Sequence, residues 1–278
     1  MDLSIIIAHY DPGNHPNCLK SFHRTLRTIE EQKVNFNIEV IIADDGSVTH
    51  KNFQFFGSSE LIYGDQIIHS LTGKNLVKWK MENDFDYPSI CNWLYLPKSK
   101  PIMSKARIGN AAVANTSSEN LFFLDDDNYF ISKNTIDSII KLLQNYQLII
   151  GQIQDNNGRF RPYASKRVQG TTFGINKKTI IEAGLFGEWT ESVSCGVDSD
   201  IWWKLYQYFQ NNSHLKACYT SEIQTLDSCS KRWRPHIKQF FRHWAVKKLF
   251  NKIHGCPNYR SISKNPSRNK SNWMDNLT

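Results

Sequence analysis

The sequence predicts an α/β fold with a mostly parallel central sheet, followed by a basic C-terminal helical segment. Three observations support this prediction. Short apolar runs alternate with amphipathic stretches, polar turn residues follow the apolar runs, and the excess positive charge lies near the C-terminal end. With 278 residues and 40% hydrophobic content, the chain is long enough to bury one large core or two small ones.

The first two apolar runs and the stretch between them form the clearest unit. Leu3 to Ala8 and Ile38 to Ala43 are too short for helices and rich in isoleucine, as expected of buried strands. Between them, Cys18 to Gln32 has apolar residues near helical spacing and follows the turn residues Asp11 to Asn14. This order predicts a βαβ unit, whose parallel sheet places ligands at the carboxyl ends of its strands.

The next part of the chain is less regular. Residues 48 to 104 are rich in aromatic residues without a sustained period, and we interpret them as an irregular insertion over one face of the sheet. Lys105 to Asn115 is predicted to be a helix that leads into a strand at Leu121 to Leu124. Asn134 to Gln147 shows a second clear amphipathic pattern.

Further elements are predicted downstream. Gly170 to Ile175 is expected to form a strand, and Lys177 to Ala183 a short helix closed by Gly184. Asp198 to Tyr208 is expected to form a helix that opens on carboxylates, which the positive end of a helix favours.

The net charge of +8 is unevenly distributed. Residues 1 to 227 carry 22 Lys and Arg against 25 Asp and Glu, a balance of −3, whereas residues 228 to 278 carry 12 against Asp275 alone, a balance of +11. We therefore predict a catalytic domain over 1–227, with halves 1–130 and 131–227, and a basic extension over 228–278.

The basic extension contains Lys231 to His254, whose apolar residues fall on two opposite faces, so we predict two short amphipathic pieces. The end of the chain from Asn258 is polar and is expected to be mobile. Basic residues interleaved with Trp, Phe and Ile favour an anionic membrane surface over nucleic acid or solubility alone.

Composition also limits the setting of the protein. No apolar stretch reaches the roughly 18 to 20 residues that span a bilayer, and the first residues lack the features of a signal sequence. The cysteines show no CxxC spacing, which argues against a disulfide framework or a zinc cluster. We expect a reducing, cytoplasmic setting. The six cysteines are Cys18, Cys91, Cys195, Cys218, Cys229 and Cys256.

Three consecutive carboxylates, Asp125, Asp126 and Asp127, follow the apolar run that ends at Leu124. Adjacent negative charges are tolerable only where water or a cation neutralises them. Oxygen ligands favour magnesium, manganese or calcium over zinc. The alternative is a solvated acidic turn that caps the following helix.

Other polar groups also follow predicted strands. His9, Tyr10 and Asp11 come after the first strand, and Asp44 with Asp45 comes after the second. An aromatic or imidazole ring can stack on a nucleobase, and a carboxylate can accept hydrogen bonds from a base or ribose. Each group alone is more typical of an ordinary turn.

Four short segments carry polar residues at or near predicted strand and helix ends: Ile41–Ser47, Ala106–Ala114, Phe123–Asp127 and Gly196–Asp200. In this order, they resemble the family 2 glycosyltransferases and related inverting enzymes of the type A glycosyltransferase fold. The chain departs from the family pattern at Ala8, Asp11, Asn110 and Val197, where the family often has Pro, Asn, Gly and Glu.

The resemblance implies a single nucleotide-binding, Rossmann-like domain and a role for each matched residue. Asp44 would contact the nucleobase, Arg107 would help to hold the nucleotide, and Asp125 would approach the ribose or the metal. Asp127 would bind Mn²⁺ or Mg²⁺ on the diphosphate, and Asp198 would be the general base of an inverting displacement. The nucleotide-sugar-binding residues are predicted as His9, Tyr10, Asp11, Asp44, Arg107, Asp125 and Asp126, with Asp127 and Asp125 as metal ligands.

The base assignment stays open at this point, because Val197 replaces the family's Glu just before Asp198. Asp200, Glu188 and Glu191 are the alternatives. Asp200 lies further into the predicted helix, where pairing within the helix is the favoured interpretation.

The implied reaction transfers a sugar from a nucleotide diphosphate sugar, a UDP-sugar being favoured, to a glycan or lipid-linked saccharide in cell-surface polysaccharide synthesis. The protein would lie peripherally at the inner face of the membrane through residues 231–254, and no nucleic acid partner is expected. A nucleotidyltransferase is one alternative, although the loop Tyr10 to Asn14 fits poorly with a glycine-rich phosphate loop. A non-enzymatic membrane or nucleic-acid adaptor with structural acidic clusters is another.

Two features of the C-terminal segment remain. Cys229 to Trp233 partly resembles the Gln-x-x-Arg-Trp element of processive polysaccharide synthases, without its Gln, and packing is the favoured role for Arg232 and Trp233. His236 and His243 are candidate late metal ligands, although solvated histidines on a basic helix are the favoured interpretation.

Overall fold

The structure is a computed structural model that describes residues 1–33, 35–48, 58–98, 102–161, 169–228, 237–256 and 273–277, without the side chains of 237–241. Its strands are β1 (Leu3–His9), β2 (Ile38–Asp44), β3 (Ser59–Tyr63), β4 (Gln66–Thr72), β5 (Ile90–Tyr95), β6 (Asn120–Asp125), β7 (Asn128–Phe130), β8 (Leu148–Asp155), β9 (Phe173–Asn176), β10 (Ala217–Asp227) and β11 (Asp275–Leu277). Its helices are α1 (Cys18–Glu30), α2 (Gly73–Glu82), α3 (Lys105–Ala114), α4 (Thr135–Leu143), α5 (Lys177–Glu182), α6 (Val197–Asn211) and α7 (Ile237–His254), with a 3₁₀ turn at Glu188–Val193.

One sheet joins all the described strands, in the order β11-β10-β8-β9-β6-β1-β2-β5-β4-β3, with β7 paired to β10. Its central strands β6, β1, β2 and β5 run parallel to one another. Antiparallel pairs flank this centre: β9 is antiparallel to β6 and β8, and β4 is antiparallel to β3 and β5. The predicted α/β class is confirmed, with a parallel centre and mixed flanks.

Helices cover both faces of the sheet. In β1, Leu3, Ile5 and Ile7 point into a core formed with α1, α2 and α4, whereas Ile6 points into the opposite core with α3, α5, α6 and α7. All four side chains are at most 1% exposed. This burial on both faces explains why the strand reads as a continuous apolar run rather than an alternating one.

The prediction of an irregular insertion over residues 48–104 is wrong for its described part. That part forms β3, β4, α2 and β5, and β5 lies inside the sheet beside β2. Trp93, Leu94 and Tyr95 are buried there. A strand buried on both faces has no alternation to detect, and large aromatic side chains serve as its core residues.

The other predicted elements are found within a few residues of their predicted bounds, apart from α4, which ends earlier, at Leu143. Two long strands were not predicted, β8 and β10, which lie side by side in parallel. The predicted mobile end is also wrong for β11, which joins the sheet beside β10.

The basic segment forms one helix, α7, rather than two pieces. Its residues Val246 and Phe250 are buried, and the Phe250 ring lies 6.2 Å from Trp203 and 6.3 Å from Trp189. α7 therefore packs on the main core, and the division of the chain at residue 227 stays a prediction. Cys229 to Trp233 and His236 lie outside the described residues, and His243 is exposed. Within the described ranges, we find no helix with the length and apolar character that a bilayer crossing requires.

Candidate functional site

The carboxyl ends of the central parallel strands meet at one edge of the sheet. Ala8 at the end of β1 is level with Ala43 of β2 and with Asp125 of β6, and His9 is level with Asp44. The sheet therefore brings the polar segments that follow these three strands together, as the sequence predicts. Some of their side chains are buried and others are partly exposed.

The three consecutive carboxylates separate into two groups. Asp126 is 2% exposed, and its Oδ2 accepts hydrogen bonds from His9 Nδ1 at 2.6 Å and from the Tyr10 amide at 3.2 Å. Asp125 and Asp127 are partly exposed. β6 ends at Asp125, so Asp126 and Asp127 lie in the turn after this strand, where the middle carboxylate is buried against His9 and the outer two stay partly exposed. A contact of Asp126 with a nucleotide stays a prediction.

His9, predicted to stack on a nucleobase, lies inside the protein. It is 1% exposed, and its ring is stacked on Phe22 with the centroids 4.1 Å apart. With one face on Phe22 and Nδ1 on Asp126, the imidazole ties the end of β1 to the turn after β6. Tyr10, the next residue, is only partly buried and stays at the surface of the site.

Asp11 and Asp44 shape the loops rather than face solvent. Asp44 is fully buried and accepts hydrogen bonds from the Ser47 amide at 2.8 Å and from Trp93 Nε1 at 3.2 Å. Asp11 is 2% exposed, and its Oδ1 accepts from the Gly13 amide. Burial raises the pKa of Asp44. Contact of either carboxylate with a nucleotide stays a prediction.

An ion pair that the sequence did not indicate lies beside them. Lys98 Nζ is 2.5 Å from Asp45 Oδ1, and both Asp45 oxygens accept from the Ser104 amide. Burial raises the pKa of Asp45 to about 6, although Lys98 opposes this. The Lys98 ammonium also lies 5.4 Å from the centre of the Tyr10 ring. Lys98 therefore adds a positive charge next to Tyr10.

A second such pair lies at the end of β6. Lys105, the first residue of α3, places Nζ 2.6 Å from Asp125 Oδ1 and 3.4 Å from the Gly170 carbonyl oxygen. Burial acts to lower the pKa of Lys105, but the charges of Asp125, Asp198 and Asp127 raise it above its usual value. The ammonium therefore contacts Asp125 and feels the charges of the other two carboxylates.

Asp198 reaches the same place from the opposite half of the chain. It lies in the first turn of α6, and Gly196 before this helix has a left-handed φ of +99°. The Asp198 carboxylate lies against Gly170, so close that an added Cβ on this glycine would come within 2.0 Å of Oδ1. Asp198, Gly170, Lys105 and Asp125 thus form a continuous row of contacts.

The alternatives to Asp198 are all engaged elsewhere. Asp200 is fully buried and binds Lys204, Trp189 and His254, and although burial acts to raise its pKa, these hydrogen bonds lower it. Glu191 pairs with Arg107, and Glu188 accepts from Asn110. Within the described residues, the Asp198 carboxylate makes no hydrogen bond or ion pair.

Arg107, predicted to help hold the nucleotide, is surrounded by carboxylates. Its Nε and Nη2 donate to the two oxygens of Glu191 at 3.0 and 3.2 Å, and its Nη1 donates to Asp65 at 3.0 Å. Glu188 lies 3.5 Å away. Arg107 therefore ties the β3–β4 hairpin and the 3₁₀ turn to α3, and its predicted contact with the nucleotide is a matter for the Arg107→Ala variant.

The chemistry of Asp125 and Asp127 fits a divalent metal ion. Both are partly exposed oxygen donors at the end of one strand. In the described part of the chain, no three His, Cys, Asp or Glu side chains converge to hold an ion by themselves. Mg²⁺ and similar ions commonly use one or two carboxylates together with water and substrate phosphates. A metal here would therefore be shared with a bound diphosphate.

Comparison with known proteins bears on the fold. No protein-family model and no curated protein matches the sequence. Among solved structures, TarS of S. aureus matches with a TM-score of 0.54 and 14% identity over 90% of this chain and 40% of the TarS chain. TarS 1–349 in complex with UDP-GlcNAc matches with a TM-score of 0.53 and 14% identity, over 90% of this chain and 67% of that one.

A third match is the mannosyltransferase PcManGT from Pyrobaculum calidifontis, in complex with GDP-Man and Mn²⁺. It has a TM-score of 0.53 and 15% identity, over 91% of this chain and 64% of that one. The present chain thus spans less than half of the TarS chain, and its sequence is distant from all three structures. The agreement lies in the backbone: this chain has the type A glycosyltransferase fold.

Proposed function

We propose that this protein is a metal-dependent, inverting glycosyltransferase that uses a nucleotide diphosphate sugar. The observation that carries the proposal is the row of contacts from Asp198 through Gly170 and Lys105 to Asp125, which ends β6 two residues before the partly exposed Asp127. The Asp198 carboxylate, which makes no hydrogen bond or ion pair within the described residues, therefore lies on the same side of the sheet edge as a pair of candidate metal ligands. Nucleotide-sugar transfer needs both parts, one for the leaving diphosphate and one for the attacking hydroxyl.

In this proposal, the donor lies across the carboxyl ends of β1, β2 and β6. The partly exposed Tyr10 ring packs against the nucleobase, with the Lys98 ammonium beside it. Asp127 and Asp125 are the residues that would hold Mn²⁺ or Mg²⁺ in the presence of the diphosphate. When bound, this ion neutralises the charge that develops on the leaving group.

Asp198 acts as the general base. Its carboxylate takes the proton from the acceptor hydroxyl while the hydroxyl oxygen forms a bond to the anomeric carbon. The bond from this carbon to the diphosphate oxygen breaks at the same time, and the nucleotide diphosphate leaves from the opposite face. The anomeric configuration inverts. Such a base contributes about 10² to 10⁴ in rate.

A UDP-sugar is the first donor class that we propose, with a GDP-sugar as the comparison. The structural neighbours were solved with UDP-GlcNAc and with GDP-Man, which supports a nucleotide-sugar donor in general. For the acceptor we propose a hydroxyl of a glycan or lipid-linked saccharide, in the synthesis of a cell-surface polysaccharide.

The test is donor binding and hydrolysis, which need no acceptor. Wild-type protein should bind UDP or GDP in a Mn²⁺-dependent way by calorimetry and slowly hydrolyse one nucleotide sugar. Asp127→Asn should abolish Mn²⁺-dependent binding, whereas Asp198→Asn should keep it and lose transfer or hydrolysis. Asp137→Asn on the outer face of α4 is the control. Absence of nucleotide binding in the folded wild-type protein would refute the proposal.

We further propose that the protein works at the cytoplasmic face of a membrane, bound through the outer side of α7. Arg242, Lys247 and Lys248 are exposed on this helix around Trp244, which is 63% exposed. Basic residues near an anionic surface each contribute about 1 kcal/mol.

Removal of α7 is a poor test of this membrane contact, because Phe250 belongs to the core. Substitution of Lys247 and Lys248 by Glu leaves that packing in place. The double variant should no longer sediment with anionic liposomes, whereas wild-type protein should do so. Equal sedimentation of the two proteins would count against membrane binding.

A further inference from the structure

The position of Lys105 has a consequence for metal binding. Its ammonium lies 2.6 Å from Asp125, the nearer of the two candidate metal ligands on β6, and within the field of Asp127 and Asp198. The Lys105 side chain is 26% exposed and that of Asp125 is 28% exposed. Lys105 is therefore not a solvated surface lysine that happens to lie near an acid.

The charges around Lys105 do not balance. Asp125, Asp127 and Asp198 supply three negative charges when ionised, and Lys105 supplies one positive charge. A divalent ion would restore neutrality, but it would have to approach a carboxylate that the ammonium already holds. Two cations that share one carboxylate repel each other strongly where solvent screening is reduced.

We propose that Lys105 is a resident cation that competes with the divalent metal for Asp125, so that the metal binds well only together with a nucleotide diphosphate. Without the nucleotide, the ammonium neutralises Asp125 and leaves only Asp127 open to the ion. The diphosphate brings two negative charges and further oxygen ligands, which outweigh the repulsion. This inference rests on the proposed function and adds that the metal and the nucleotide diphosphate bind together.

Free Mn²⁺ measured by electron paramagnetic resonance, on full-length protein without nucleotide, tests the competition. Lys105→Met should bind Mn²⁺ at least about tenfold more tightly than wild type, because the competing charge is gone. Lys105→Arg keeps the charge and should bind as weakly as wild type. Lys177→Met is the matched control, since Lys177 also opens a helix, is partly buried and donates to a backbone carbonyl, that of Thr116.

Titration of Mn²⁺ in the presence of UDP or GDP gives the second measurement. In wild type, metal and nucleotide should strengthen each other's binding, and this mutual effect should shrink in Lys105→Met. Unchanged or weaker Mn²⁺ binding in folded Lys105→Met overturns the inference. If this variant does not fold, Lys105→Gln is measured in its place with the same expectation.

The two proposals fail separately. Absence of nucleotide binding refutes the proposed function, whereas the Mn²⁺ titration without nucleotide still reports on Lys105. Tighter Mn²⁺ binding in both Lys105→Met and Lys177→Met would indicate a general effect of net charge, which would also overturn the inference.

Discussion

Asp126, the middle carboxylate of the acidic run, should contribute to folding stability, and Asp127 should contribute to ligand binding. Asp126→Ala removes the carboxylate that lies 2.6 Å from His9 Nδ1, in a pair where His9 is 1% and Asp126 is 2% exposed. It also removes the acceptor of the Tyr10 amide. Loss of one partner from such a buried pair typically costs about 3 to 5 kcal/mol.

Asp127→Ala is the matched control, because it makes the same change one residue away at a partly exposed side chain. Its carboxylate accepts from the neighbouring Asn128 side chain, and we expect a change in unfolding free energy of about 0.5 kcal/mol or less. The free energies of unfolding are measured by urea titration of all three proteins, with nucleotide binding by calorimetry. Equal stability of the two variants would refute the division of roles between Asp126 and Asp127.

Three further predictions follow from the site. Gly170→Ala should lower transfer by about 10²-fold while metal-dependent nucleotide binding persists, because its Cβ would lie 2.0 Å from Asp198 Oδ1; kinetics and calorimetry on the same protein check this. Arg107→Ala should lower the free energy of unfolding by about 2 kcal/mol in urea titration, because it removes charge-assisted hydrogen bonds to Glu191, and should leave nucleotide affinity unchanged. Burial raises the folded-state pKa of Asp45 to about 6, so its contribution to stability is full below its unfolded pKa of about 4 and is lost as the pH rises through about 6. The stability of wild type relative to Asp45→Asn should therefore fall between about pH 4 and pH 7, and a constant difference would contradict this assignment.

The sequence predicts the central fold well because its signals there are local. The apolar runs of β1, β2 and β6 and the helical spacing of α1 are each visible within a short window. β5 was missed because both of its faces are buried and its core residues are aromatic. Because β5 was missed, the position of Lys98 was missed too. Lys98 follows β5, which runs parallel to β2 beside it. Recognition of β5 would have placed Lys98 at the carboxyl edge with Asp45.

The partners of the charged groups are harder to predict, because they are distant in sequence. Lys105 and Asp125 are joined only once α3 lies across the end of β6, and nothing near Lys105 distinguishes it from an exposed helix lysine. The same holds for Arg107, whose partner Glu191 lies on a 3₁₀ turn far along the chain. A motif locates such residues in the sequence, but their contacts depend on long-range packing.

The acidic run shows the same dependence on long-range contacts. β6 ends at Asp125, and Asp126 and Asp127 lie in the turn that leads to β7, so the alternation of a strand does not fix where these two side chains point. A contact with β1 separates them: His9, the last residue of that strand, meets the buried Asp126 carboxylate, whereas Asp125 and Asp127 stay partly exposed. A buried carboxylate requires such a partner, which makes His9 a support for the turn that carries the candidate metal ligands. Burial therefore separates the carboxylates that the motif treats alike.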